Sequence, residues 1–336
     1  MRIAVISDDV LPCPPSKYGG MELLCWQWAK EYAKSHEVFL FALKGSRKPG
    51  DGTLVEFQRA DEIFNHLDLL RSCDAIHDSS WKLISWKLKE KYADEIPPCI
   101  WTFHGEHVPA TISSPKGVQV CGVSQMQADL LSAELQTEAV TCYNGVDLSQ
   151  YPLYSGERNG RLLYLNRLSE EKGIHICIDL AKKRNLKLDV AGTEKLVRDH
   201  NFTARMLQSM DGEQIRYWGD VGIEIKVDLL RRAKALLWLG WFKEPFGLGL
   251  IEAMACGTPI IGQRIGALSE VVQEGGVLID RPSQLPEALE KIESITPEEC
   301  RRNAERFSIE KSATRYLELF EKLIRSSPRS ASKVSG

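Results

Sequence analysis

The sequence is short of three things, and each shortage removes a class of protein. No apolar run approaches the roughly 18 residues of a membrane-spanning helix, so none is expected. Basic residues are not in excess. The net charge is −3, whereas a general nucleic-acid binder needs surplus Lys and Arg to displace counterions from phosphates. The nine cysteines are odd in number and include no C-x-x-C pair. That argues against a disulfide framework and for thiols acting as small hydrophobes in a reducing, cytoplasmic setting. Zinc is not expected either: the group His104-Gly-Glu-His107 lacks helical spacing and a third ligand.

What remains has the make-up of an ordinary globular protein, 43% apolar and 26% charged. A chain of 336 residues is more than one core usually serves, so two domains are expected. It opens on Met1-Arg-Ile-Ala-Val-Ile-Ser, which reads as a first strand and not as a signal peptide. Further strands are expected at 38–42, 75–77, 100–102, 118–122 and 140–143. Helices are expected at 21–34 and 124–135, the second capped by Ser124. Turn residues then thicken at Asn144-Gly145, Pro152, Gly156 and Asn159-Gly160, marking a connection. A second series of strands follows at 162–165, 186–191, 215–218, 235–239, 258–261 and 276–279. Short β-type runs alternating with helices predict an α/β protein of two doubly wound, Rossmann-like domains. Ligands would then bind at the carboxyl ends of the strands, in a cleft between the domains. The domains are placed at 1–150 and 151–308, with a last helix at 309–325 and a disordered Ser/Arg/Lys-rich tail at 326–336.

Four loops at predicted strand ends carry candidate chemistry. The first is Glu244-Pro-Phe-Gly-Leu-Gly-Leu-Ile-Glu252, which opens a short helix that Gly257 can close with a left-handed cap. Backbone N–H groups near Phe246, Gly247 and Leu248 form an anion site, and the two carboxylates suit neutral vicinal hydroxyls. The plain alternative is a glycine-rich turn with solvated acids. A dinucleotide fingerprint is disfavoured, because Glu252 stands where its third glycine belongs. The second loop is Arg167-Leu-Ser-Glu-Glu-Lys172-Gly173, whose two cations can clamp a diphosphate or merely decorate a charged βα loop. The third is Pro14-Pro-Ser-Lys-Tyr-Gly19-Gly20-Met-Glu22, where paired glycines let amides approach a phosphate. The fourth is Thr102-Phe-His104-Gly105, with a histidine that is either structural or at the mouth of the expected cleft.

These motifs together resemble the family 4 retaining glycosyltransferases of the GT-B fold. Glu244 and Glu252 match that family's E-x7-E motif, Arg167 and Lys172 its paired basic residues, Gly19-Gly20 its first glycine loop and His104 its active-site histidine. Cys142 to Pro152 resembles the segment entering its linker, and Phe307-Ser-Ile-Glu-Lys the start of a last helix that crosses back to the first domain. Pro14-Pro-x-x-Tyr-Gly-Gly-x-Glu22 is further similar to a subgroup containing avilamycin-pathway glycosyltransferases.

The resemblance implies a nucleoside-diphosphate sugar as donor, an unidentified acceptor hydroxyl and no cofactor. Glu252 would bind the donor ribose, Glu244 the transferring sugar, and Arg167 and Lys172 the diphosphate, helped by amides of Gly20, Phe246, Gly247 and Leu248. The base would rest on Gly219-Asp220-Val221. Enzymes that perform this step through a metal commonly carry a D-x-D motif, and none occurs here. A GT-B phosphorylase, an inactive nucleotide-sugar-binding module and a nicotinamide oxidoreductase are the rival readings. Finally, Trp81 to Tyr92 reads as a helix with Trp81, Ile84, Leu88 and Tyr92 in the core. Its other side mixes Leu83 and Trp86 with Lys82, Lys87 and Lys89, and solvated surface and weak peripheral contact with anionic lipid are both open readings.

Overall fold

The computed structural model describes residues 1–17, 19–108, 117–195 and 197–327. Most of the expected tail, from residue 328 on, lies outside the described residues. The chain divides into two compact units, the first built from Met1–Pro15, Gly19–Gly145 and the chain from Ile309, the second from Val146–Ser308 together with Ser16 and Lys17.

In chain order the first unit comprises β1 (Arg2–Ile6), α1 (Gly20–Tyr32), β2 (Glu37–Leu43), β3 (Thr53–Phe57), α2 (Leu67–Ser72) and β4 (Ala75–Asp78), then α3 (Ile84–Tyr92), β5 (Cys99–Phe103), β6 (Val118–Gly122), α4 (Gln125–Leu135) and β7 (Ala139–Thr141). All seven strands are parallel, in the order β3-β2-β1-β4-β5-β6-β7. Helices cover both faces of such a sheet, so its central strands are near-continuous apolar runs; Ile3 to Ile6 and Cys99 to Phe103 are buried throughout. Ser124 caps α4 as expected, its hydroxyl accepting the Gln127 N–H. The strand Thr53–Phe57 was not expected. It is an edge strand in which only Phe57 is buried, and Glu56 interrupts its apolar run.

The second unit comprises β8 (Leu162–Leu165), α5 (Ile174–Lys183), β9 (Leu188–Ala191), α6 (His200–Gln208), β10 (Ile215–Tyr217), α7 (Ile223–Arg232) and β11 (Ala235–Trp238), then α8 (Leu248–Ala255), β12 (Ile260–Gln263), α9 (Leu268–Val271), β13 (Gly276–Ile279), α10 (Leu285–Lys291) and α11 (Pro297–Ala304). Its six parallel strands run β10-β9-β8-β11-β12-β13. Gly257 ends α8 as expected: its own N–H reaches Met254 O and the Thr258 N–H reaches Ala253 O, the two bonds of a Schellman cap.

The last helix, α12 (Ile309–Ser326), belongs to the first unit. Its buried residues Ile309, Ser312, Ala313, Tyr316, Leu319 and Phe320 recur at helical spacing and make one stripe. Ser312 accepts the Trp28 indole N–H at 2.9 Å and donates to Tyr143 O at 2.6 Å, while the Tyr316 hydroxyl meets Thr102 at 3.0 Å. Tyr316 stacks 4.3 Å from His77, whose ring nitrogens bond Tyr32 and Thr102.

The segment 81–92 departs from its helical-wheel reading. The helix starts only at Ile84, after Leu83 in a left-handed conformation, so Trp81 lies outside it, 48% exposed and edge-on to Phe103. Trp86 faces the core and packs 5.0 Å from Trp101, and Leu83 packs against the same core. The apolar residues assigned to a lipid-facing side are thus turned inward. Among the described residues no helix is long and apolar enough to cross a membrane. All nine cysteines are buried free thiols.

Candidate active site

In both sheets the strand order reverses beside the first strand of the unit. In the second unit this switch point lies between β8 and β11, and open sheets of this kind bind ligands outside the strand ends there. The loops that follow these two strands hold Arg167, Lys172 and Glu244, so topology alone brings the three into one neighbourhood. The two loops also pack backbone to backbone. A Cβ on Gly173 (φ +77°) would come within 2.7 Å of Gly240 Cα, and one on Gly240 within 2.3 Å of Glu171 O. Glycine at both positions is what permits the approach.

Lys172 Nζ donates to Glu244 Oε2 at 2.6 Å and sits 3.7 Å from the centroid of the Phe242 ring. Both side chains of the pair are largely buried, at 7% and 13% exposed. Burial pulls the Lys172 ammonium below its ordinary pKa, and Glu244 pulls the other way. The main chain of Glu244 is braced by the loop after β12, its carbonyl accepting the Ala267 N–H. Arg167 lies on the same loop as Lys172, a quarter exposed, its guanidinium 3.7 Å from Glu171. Ser169 steadies that carboxylate at 2.7 Å, and the Arg167 carbonyl accepts the Tyr164 hydroxyl.

Glu252 lies on α8, which starts at Gly247 without a side-chain cap. The Leu248 and Gly249 N–H groups have no partner among the described residues, and Phe246 beside them is buried against Phe307. Glu252 Oε1 accepts two hydrogen bonds, from the Tyr151 hydroxyl and from Lys226 Nζ, each at 2.7 Å. Lys226 stands on α7, whose N-cap Gly222 ends the Gly219-Asp220-Val221 turn. That turn follows edge strand β10, and the Gly219 carbonyl accepts the Gly192 N–H. Trp218, just before it, is half exposed and donates its indole N–H to Asp189. Lys226 and Tyr151 were not among the expected site residues. Lys226 reads locally as one more charge on a helix, and its partner lies 26 residues away.

The first unit gives its own switch point, between β1 and β4, a different lining. His104 follows β5; its Nε2 is buried with no hydrogen-bond partner, and its ring lies 6.1 Å from Trp28 on α1. Burial lowers its pKa to about 4, so it is neutral at pH 7. Gly19 caps α1 and Gly20 begins it, with Leu23 N–H bonded to Gly19 O. Beyond the expected residues, this region buries Asp8 and Glu22. Burial raises both pKa values; Asp9 and Asp78 raise Asp8 further and Asp8 raises Glu22, and Asp8 Oδ1 has no partner. His107 stands 3.8 Å from Glu134, and among the described residues no three His, Cys, Asp or Glu side chains group as metal ligands.

The chain matches the family model described as glycosyl transferases group 1 over residues 153–323, just over half its length. It is 27% identical over 294 residues to an uncharacterized glycosyltransferase of Methanocaldococcus jannaschii, covering 80% of this chain and 78% of the relative. Among solved structures it resembles AviGT4, a glycosyltransferase involved in avilamycin A biosynthesis, with a TM-score of 0.76 and 23% identity over 97% and 98% of the two chains. It also resembles Anabaena HepE in complex with UDP and glucose, at 0.74 and 17% over 96% and 100%. The two structures share the GT-B frame of paired parallel-sheet domains found here. The chain belongs to the glycosyl transferases group 1 family and is a GT-B glycosyltransferase.

Proposed function

We propose that the chain moves a sugar from a nucleoside-diphosphate sugar to an acceptor hydroxyl, retaining the anomeric configuration and neutralising the leaving diphosphate with protein cations. The observation that carries this reading is the buried Lys172–Glu244 pair at the switch point, with Arg167 on the same loop. An ammonium has three N–H donors and Glu244 takes one, which leaves donors for phosphate oxygens. The planar Arg167 guanidinium suits a phosphate in two-pronged fashion. As the sugar–phosphate bond breaks, positive charge grows on the sugar ring and negative charge on the diphosphate. Cations already held in place stabilise that state more than the ground state.

The remaining roles follow the family resemblance. Glu244 faces the transferring sugar, Glu252 the ribose and the Gly219-Asp220-Val221 turn the base, while N–H groups at Phe246, Gly247 and Leu248 assist the phosphates. In the first unit, Gly20 offers an amide and the neutral His104 orients the reacting groups. The acceptor hydroxyl attacks from the leaving-group face and gives its proton to a phosphate oxygen. The HepE complex with UDP and glucose supports this donor class. Thermal melts with UDP, GDP, ADP and NAD test it. One nucleoside diphosphate should raise the melting temperature, since a ligand at about 100 times its Kd adds about 2.7 kcal/mol. Stabilisation by NAD alone would overturn the reading.

A further inference from the structure

Glu252 does not face a ligand alone. Its Oε1 is filled by Tyr151 and Lys226, whereas Oε2 accepts no hydrogen bond among the described residues. The Lys226 ammonium gives one N–H to this carboxylate and lies 5.2 Å from the Tyr151 ring centroid, and its other two N–H groups have no partner among the described residues. Lys226 and Glu252 are mostly buried, with side chains 20% and 10% exposed. The cluster therefore presents one open acceptor next to open donors.

A vicinal diol asks for that combination. Each hydroxyl has a hydrogen to donate and lone pairs to be met, and a carboxylate alone can meet only the hydrogens. We infer that Lys226 is a specificity-determining residue for the donor ribose, donating to a hydroxyl oxygen while Glu252 Oε2 accepts from the diol. Tyr151 is a positioning residue that occupies Oε1 and turns Oε2 outward. The inference rests on the reading of Glu252 as the ribose residue and adds the group that discriminates. A site built to bond a hydroxyl rejects the analogue lacking it, because its own buried polar groups are left unmet.

The test is titration calorimetry with the tightest binder among UDP, GDP and ADP and with its 2′-deoxy counterpart. Wild type is compared with Lys226→Met, Lys226→Gln, Tyr151→Phe and Glu252→Gln. Wild type should prefer the ribonucleotide by about tenfold or more, the scale of a hydrogen bond to a charged group. Both Lys226 variants should lose most of that preference by weakening the ribonucleotide, keeping 2′-deoxy affinity within about threefold. Tyr151→Phe should weaken ribonucleotide binding less than either Lys226 variant. Retained preference in both Lys226 variants, with loss in Glu252→Gln, would reduce Lys226 to a brace and leave the ribose role of Glu252 standing. Full ribonucleotide affinity in Glu252→Gln would remove the ribose reading itself. A wild type that does not distinguish the two nucleotides, or binds none of the three, would overturn the inference.

Discussion

The two sheets share the strand order β3-β2-β1-β4-β5-β6, counted within each unit, and differ in what they put at the reversal. At the second unit's switch point the charges are pre-paired: Lys172 with Glu244 at 2.6 Å, and next to it Lys226 with Glu252 at 2.7 Å. Around the first unit's, no such buried cation–carboxylate pair stands among the described residues. His77 and His104 are kept neutral by burial, and Asp8 and Glu22 are buried without an ion pair among the described residues. Strand order fixes where loops converge, and the residues on those loops decide the chemistry done there. We propose from this contrast a division of labour in which the second unit handles the charged donor and the first the hydroxyl-bearing acceptor.

The largest expected effect tests that division directly. Arg167→Ala should lower donor turnover, measured as transfer or as hydrolysis to water, by on the order of 10²–10³, the scale of one lost charge-stabilising donor. Lys172→Ala should do the same but also leave Glu244 buried without its cation, which costs about 3–5 kcal/mol of stability. Lys172 is therefore not the solvated loop residue its sequence context implies, and Arg167 is the cleaner probe. Asp8→Asn should leave donor hydrolysis within about threefold, because it removes nothing from the leaving group. Comparable losses at Asp8 and Arg167 would break the comparison.

The next effect is smaller and separates the two glutamates. Glu252→Ala should weaken binding of the free nucleoside diphosphate by about tenfold, through loss of a charge-assisted bond. Glu244→Gln, which keeps an oxygen near Lys172, should spare nucleotide affinity and depress turnover. Equal losses of affinity by calorimetry would merge the two roles and sink the assignment.

The parts of the molecule that were legible follow from how far their signals reach along the chain. Central strands such as Ile3–Ile6 read correctly because burial on both faces leaves a continuous apolar run. Ser124 and Gly257 were legible because caps are local chemistry. The edge strand Thr53–Phe57 was not, since one solvated side erases the run. The segment 81–92 failed because a wheel assumes an unbroken helix, and Leu83 at φ 55° resets the phase. In the candidate site, motifs point to residues on strand-end loops, whereas Tyr151 and Lys226 are joined to Glu252 only by tertiary contact across 101 and 26 residues.

Acid gives a third test, aimed at the first unit. Burial holds His77 at about 3 and His104 at about 4, whereas histidine in the unfolded chain titrates near 6.5. Between those values the unfolded state binds more protons, so each histidine makes stability rise with pH. That contribution is complete above about 6.5 and is lost as pH falls toward about 4 and below. Asp8 and Glu22, with raised pKa values, act in the opposite sense. The difference between wild type and His77→Gln cancels the carboxyls and isolates one histidine. Urea unfolding between about pH 5 and 6.5 should show the variant's slope smaller by up to about 1.4 kcal/mol per pH unit. An unchanged slope would mean that His77 takes up its proton in the folded protein as readily as in the unfolded chain.

The smallest expected effect is none at all. If Arg167 and Lys172 supply the positive charge at the leaving group, excess EDTA should leave turnover within about twofold, because no Lewis acid is needed there. The warrant is the chain's own residues: two cations on the β8 loop and no D-x-D to anchor a divalent ion. Retention is a separate claim resting on resemblance, and the anomeric proton coupling of the product checks it independently. The chelation experiment also sharpens the comparison of the two units. A metal requirement would place the leaving-group charge outside the second unit's pre-paired cations, and the Arg167 and Lys172 losses should then shrink when the divalent ion is saturating. Full sensitivity to both substitutions in EDTA, with no rescue by Mg²⁺ or Mn²⁺, is the result the cation clamp requires.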